Sequence, residues 1–215
     1  MHGRSMPSAG HDLLDEFGSA LAGWDWDVAL LQETPPWWAP ALSLRLGAEY
    51  RQVLTSRNAL LPLRRAIATR WPDVIKSNGG GANAILVRRD RIVEHRIWRL
   101  RQLPERRWVH GVRLARGRWA ANLHATVHNA AAAVEEGHAA AATALSWAAG
   151  EPVALGGDFN VRELSLPPLH YGGGHDVDHV FAAGFANHGQ AEVLDAGRLS
   201  DHKPVLVTLT PEGPN

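Results

Sequence analysis

A chain of 215 residues with 45% hydrophobic content is long enough to bury one sizeable core and fits one domain better than two. Lysine plus arginine balance aspartate plus glutamate at 22 each, so no global field attracts a polyanion, and a nucleic acid would have to be held by a local patch. Cysteine is absent, which excludes disulfides, thiolate metal sites and a cysteine nucleophile, and no apolar run approaches the roughly 20 residues that span a bilayer.

The first residues, Met1-His2-Gly3-Arg4-Ser5-Met6-Pro7, have no hydrophobic segment behind their charge, so they do not form a secretion signal and a soluble, cytoplasmic protein is expected. Leu13, Leu14, Phe17 and Leu21 recur at helical spacing behind the capping residue Asp12 and ahead of Gly23, which predicts an amphipathic helix leading into a strand at 27–32. Pro35, Pro36 and Pro40 around Trp37 and Trp38 predict a loop, followed by a short helix at 41–48. Short β-prone runs at 84–88, 91–98, 107–115 and 118–124, separated by charged or glycine-containing turns, predict an antiparallel meander. The alanine-rich stretch 129–149 predicts a helix that Gly150 ends. Buried strands follow at 152–156, 177–182 and 204–210, and the mixture fits a two-sheet core covered by helices. No repeat and no shift in composition marks a linker, so residues 1–215 are read as one domain with a short tail at 211–215.

Three strings stand where apolar runs meet loops: Gln32-Glu33, Gly156-Gly157-Asp158-Phe159-Asn160 and Ser200-Asp201-His202. They bring carboxylates, a carboxamide and an imidazole to strand ends, which is what metal-assisted phosphate-ester hydrolysis requires. Glu33 is costly to bury without a cation or partner, although a surface glutamate past a strand end is the commoner case. Asp158 and Asn160 alternate on one face of an extended segment, with Phe159 turned into the core. Asp178 lies in the otherwise apolar Val177-Asp178-His179-Val180-Phe181 and needs a donor, which His202 would supply while its own tautomer was fixed. His124 closes the strand Ala120-Ala121-Asn122-Leu123. A lone histidine there is more often a core or rim residue than a functional one.

Taken together, Glu33 in its Leu-Gln-Glu setting, Asn122-Leu123-His124, Gly157-Asp158-Phe159-Asn160, Asp178-His179-Val180-Phe181 and Ser200-Asp201-His202 resemble the ordered motifs of the endonuclease/exonuclease/phosphatase superfamily, over about residues 24–209. The resemblance implies a four-layered α/β sandwich of the deoxyribonuclease I type and a divalent-metal site, with Mg2+ the expected ion and Mn2+ its alternative. It further implies Glu33, Asp158 and Asp201 as metal ligands and His124, Asp158, Asn160, Asp178 and His202 as catalytic residues. Asn83, Asn122 and Asn160 would lie against the substrate. The expected activity is hydrolysis of a phosphodiester, nucleic acid among the candidates, by a monomer with no membrane and no obligate protein partner. Two alternatives remain: a member that binds a phosphorylated ligand without turning it over, and a phosphatase acting on lipid or sugar phosphates.

The resemblance also implies a strand ahead of the first helix, ending in an asparagine of the site. Residues 1–10 carry neither, so the expectation is that this strand was lost just upstream of Met1 and that the full product is longer by one strand. Three features stay open. Asn83, after Gly79-Gly80-Gly81-Ala82, is equally a phosphate contact or part of a turn feeding a strand. Trp37 and Trp38 either pack the following loop or stack on a base, with packing favoured. Eleven arginines within 88–118 form either a backbone-binding face or a solvated strand surface, the latter being favoured. His170-Tyr171-Gly172-Gly173-Gly174-His175-Asp176 lacks zinc-ligand spacing and is read as a loop with incidental histidines.

Overall fold

The computed structural model describes residues 12–55, 63, 65–67, 81–103 and 105–212, without the side chains of 187–190. Residues 1–10 and Gly79-Gly80, on which part of the expectations above rest, lie outside the described residues.

Helix α1 (Leu14–Gly23) turns Phe17 and Leu21 inward and runs into β1 (Val28–Thr34). Helix α2 (Trp38–Leu46) starts earlier than predicted. Pro40 falls in its first turn, where the N–H that proline lacks would have had no helical partner. Strand β2 (Glu49–Leu54) was not predicted, because Glu-Tyr-Arg-Gln-Val-Leu is mostly half-buried and carries little apolar alternation. Then come β3 (Ala82–Val87), β4 (Ile92–Arg101), β5 (Arg107–Leu114) and β6 (Arg118–His124). Strands β4, β5 and β6 form the expected meander. β3 does not join it, and lies in another sheet between β1 and β2. Its six residues are all buried, and a central position is what satisfies both backbone edges of such a strand.

Helix α3 (Ala130–Ala148) is capped by Asn129, whose side chain accepts the Ala132 N–H at 3.1 Å. It ends one residue sooner than predicted, in a left-handed Ala149 at φ 48°. Strands β7 (Val153–Asp158), β8 (His170–His175), β9 (Asp178–Ala183), β10 (Phe185–Val193) and β11 (Val205–Pro211) complete the fold. The segment read as a loop with incidental histidines is therefore β8, a strand whose glycines misled the reading. A Cβ on Gly173 would lie 2.8 Å from that of Ala191, and one on Gly174 only 2.4 Å from the Asp178 carbonyl, so this strand must run nearly bare.

These elements form a four-layered α/β sandwich. One sheet has the order β4-β5-β6-β7-β9-β8, parallel only between β6 and β7, and α3 packs on its outer face over Leu123, Leu155, Phe159 and Phe181. The facing layer comprises a three-stranded sheet, β1-β3-β2, and a two-stranded one, β10-β11. Helices α1 and α2 cover the β1–β3 part through Phe17, Trp38 and Leu42. Ile85, Val87, Val112 and Ala120 fill the space between sheets. No helix among the described residues is long and apolar enough to cross a membrane.

Among the described residues, five strands face six. β2 lies over β4 and β5, β3 over β6, β1 over β6 and β7, β11 over β9 and β8, and β10 over β8. Between β1 and β11 runs a slot of about 410 Å³, walled by Val28–Gln32 and Val205–Leu209 and floored by Ala154, Gly157, His179 and Val180.

His110 is wholly buried between the sheets, with Nδ1 3.3 Å from His95 Nε2. Burial, reinforced by His95, pushes its pKa down to about 3. An unfolded histidine titrates near 6.5, so between these limits the unfolded chain binds the extra proton and stability falls as pH drops from about 6.5 toward 3. The pH dependence of urea unfolding in that window should shrink by about one proton in His110→Gln.

Candidate active site

The parallel pairing of β6 with β7 and the antiparallel pairing of β7 with β9 place His124 opposite Asp158 and Asp158 opposite Asp178. Three side chains far apart in sequence thus stand in one row at the same edge of the sheet. His202, in the turn before β11, meets the end of this row with Nδ1 2.6 Å from Asp178 Oδ2. Asp158 and His124 are 1% and 2% exposed, with His124 Nε2 3.5 Å from Asp158 Oδ2. Ligand atoms of Asp158, Asp178 and His202 lie within 4.8 Å of one another. Two carboxylates this close repel unless a cation compensates them, and hard oxygen donors suit Mg2+ or Mn2+.

Gly156-Gly157 is what lets the row form. Gly157 has φ +141°, and a Cβ there would lie 2.0 Å from the Leu123 carbonyl oxygen. Only glycine lets β7 close onto β6 one residue before Asp158. Gly157→Ala is expected to cost about 3 kcal/mol or more, read as a lowered urea midpoint at unchanged slope.

Beyond Asp158 the chain turns sharply. The Asn160 N–H donates to Asp158 Oδ1 at 2.8 Å, and the Asn160 carboxamide donates to the Ala125 carbonyl at 3.0 Å. Asn160 itself sits at φ 54°. Glu33 is likewise left-handed, at φ 52°, where the β1–β3 register slips between Leu31 and Thr34. Bulges that re-aim a side chain, and non-glycine residues in this region, concentrate at functional sites. Neither Glu33 nor Asp201, which is exposed, belongs to the group that approaches within 4.8 Å.

Asn122 is committed elsewhere. It is fully buried, donates to the Leu31 and Ala84 carbonyls at 3.0 Å each, and accepts from Gln32 Nε2 at 2.7 Å. Its carboxamide clamps the two sheets together beneath the site. Asn83 lies on the inner face of β3 with Ile85 and Val87, and its Oδ1 has no hydrogen-bond partner among the described residues. An orphaned buried acceptor of this kind calls for a donor.

Sequence reasoning missed Glu136 on α3. Its carboxylate accepts the Thr126 N–H and hydroxyl, each at 2.7 Å, and pairs with Arg101, pinning the segment that follows His124. Nothing in the alanine-rich helix singles this residue out. Glu136→Ala leaves the half-buried Thr126 N–H without its acceptor and Arg101 with only the longer Glu135 contact at 3.6 Å, and should lower stability by about 2 kcal/mol in chemical denaturation.

The ion pairs of the arginine cluster fit the favoured reading, a strand surface rather than a free backbone-binding face. Arg88, Arg89, Arg96, Arg101, Arg107, Arg113, Arg116 and Arg118 each have a carboxylate within 4.0 Å, so most of that positive charge is neutralised on the spot. Trp38 is buried against Phe17 at 5.1 Å between ring centroids, and Trp37 packs beside the same cluster, so both serve the core.

A model of the Endonuclease/Exonuclease/phosphatase family matches residues 4–202. No curated protein matches the chain. Among solved structures, a functionally unknown conserved protein from Enterococcus faecalis V583 superposes with a TM-score of 0.69 at 13% identity, covering 98% of each chain. A mannosyl-6-phosphatase from Bacteroides thetaiotaomicron VPI-5482 gives 0.64 at 18% identity, over 92% of this chain and 90% of its own. TDP2 from Caenorhabditis elegans gives 0.66 at 14% identity, over 89% and 67%. At these identities the likeness is one of fold.

Proposed function

Because the chain belongs to the Endonuclease/Exonuclease/phosphatase family, we propose that it is a divalent-metal-dependent phosphoesterase that hydrolyses phosphodiesters by water attack. The observation that carries this reading is the row His124, Asp158, Asp178 and His202 at one sheet edge. Asp158 and Asp178 supply oxygens that would hold the ion, with Glu33 and Asp201 as further ligands by resemblance. When bound, Mg2+ or Mn2+ would offset the charge building on the phosphoryl oxygens.

Asp178 accepts the Nδ1 proton of His202, which leaves Nε2 able to take a proton from the attacking water. The water oxygen bonds to phosphorus as the ester P–O bond breaks, and the leaving oxygen takes up a proton. His124, buried beside Asp158, donates to a phosphoryl oxygen as charge develops. Asn160 and Asn83 would orient the phosphate by donating carboxamide N–H groups to its oxygens; Asn122 keeps the sheets in register beneath them. The enzyme acts as a cytoplasmic monomer in this reading, and a chain without cysteine is compatible with a reducing cytoplasm.

Hydrolysis of bis-p-nitrophenyl phosphate should require Mg2+ or Mn2+ and stop with EDTA. Turnover that survives chelation would remove the proposal. A panel of DNA, RNA, a cyclic dinucleotide, sphingomyelin, a sugar phosphate and inositol phosphates would then assign the substrate class. The sugar phosphate is included because one structural relative is a mannosyl-6-phosphatase.

A further inference from the structure

His179 takes no part in the chemistry above, although it follows Asp178 directly and is buried to 4% exposure. Its Nε2 lies 2.8 Å from the Val161 carbonyl oxygen. A carbonyl can only accept, so Nε2 carries the proton. Nδ1 is then an acceptor, and the Tyr171 hydroxyl stands 3.3 Å from it. Burial raises the Tyr171 pKa, which keeps that hydroxyl a donor. Phe159, Tyr171 and Phe181 surround the imidazole with ring centroids at 5.7–6.0 Å. Gly174 makes room for the arrangement, since a Cβ there would lie 2.7 Å from both His179 Nδ1 and the Tyr171 oxygen.

The group that receives this bond matters. Val161 follows Asn160 in the turn that presents Asp158, and the Phe159 N–H of the same turn donates to the Val177 carbonyl at 2.9 Å. One bond from Phe159 and one from His179 therefore stitch this turn to the start of β9.

We propose that His179 is a positioning residue, tying the turn that carries Asp158 and Asn160 to the strand that carries Asp178. The tie holds the two carboxylates of the site at a fixed separation, and with them the partner of His202. Its geometry stands independently of the phosphoesterase reading; its consequence for turnover rests on that reading.

The test compares the full chain with His179→Phe, which keeps a ring in the aromatic cage but cannot donate, and His179→Gln, whose amide nitrogen can reach the Val161 carbonyl. Three quantities are measured: Mn2+ affinity by electron paramagnetic resonance without substrate, kcat for bis-p-nitrophenyl phosphate, and melting temperature. Nitrogen NMR of the wild-type imidazole adds a fourth. His179→Phe should melt within a few degrees of wild type yet lose about tenfold or more in Mn2+ affinity and in kcat, and His179→Gln should recover most of both. The NMR should show the proton on Nε2 and none on Nδ1.

A proton on Nδ1 overturns the proposal, as does a His179→Phe protein that binds Mn2+ and turns over like wild type. Losses that track melting temperature equally in both variants reduce the residue to packing and also overturn it. If wild type binds Mn2+ but does not hydrolyse, the phosphoesterase reading fails while Mn2+ affinity still decides the tie. If wild type neither binds nor hydrolyses, the NMR assignment decides it.

Discussion

Asp158→Asn should lower kcat for bis-p-nitrophenyl phosphate by about three orders of magnitude or more while leaving the protein folded. The replacement keeps an oxygen where Asp158 Oδ1 accepts the Asn160 N–H at 2.8 Å, so the turn survives. It removes one of two negative charges whose oxygens, with His202, lie within 4.8 Å. Without metal, that pair is a source of repulsion in a nearly solvent-free place, and losing it should leave the metal-free melting temperature unchanged or raised. With metal, the wild type should be stabilised by the ion and the variant much less, because an ion that binds only the folded state shifts unfolding by mass action. Thermal melts across a Mg2+ or Mn2+ series check this alongside the kinetics. A variant that hydrolyses within tenfold of wild type would take Asp158 out of the chemistry.

Asp178→Asn and His202→Ala should each reduce kcat by about two to four orders of magnitude, and the double variant should be little worse than the poorer single one. The 2.6 Å contact between Asp178 Oδ2 and His202 Nδ1 makes the two act as a unit. An asparagine at 178 could present its amide N–H to Nδ1, which would force the proton to Nε2 and deny the attacking water its acceptor. His202→Ala removes the acceptor outright. Independent effects that simply multiply in the double variant would mean that Asp178 serves the ion rather than the imidazole. A full kinetic cycle of the four proteins distinguishes the two.

Much of the candidate site was legible because its residues occupy strand ends, and strand ends are local features. The apolar run before Asp158 marked a buried strand, whereas the one after His202, expected to be buried, is a strand only half-buried to exposed; the polar residues beside both runs stood out. Strand β2 escaped because a half-buried edge strand has little periodicity to read. β8 escaped because glycine, the strongest loop signal, is required there by close packing against β9 and β10. The arginine-rich segment was ambiguous for another reason: its acidic partners, such as Asp25, Glu136 and Glu151, come from remote positions. Charge balance between distant residues is not a property of a window.

By itself the sequence determined most strand and helix positions and a two-sheet core covered by helices, because hydrophobic periodicity and capping act over a few residues, while the four-layered sandwich and the site's residues were implied by the resemblance of its ordered motifs. Which side chains touch was decided by tertiary structure. The registers of β6 on β7 and of β7 on β9 bring His124, Asp158 and Asp178 into one row, while the Glu136 clamp and the His179 tie hold the segments after His124 and Asp158. Register and interlayer packing depend on pairings between segments tens of residues apart, where a one-residue slip would turn every side chain to the opposite face. Local sequence can mark the carboxylates, but only the closed sandwich sets the distance between them.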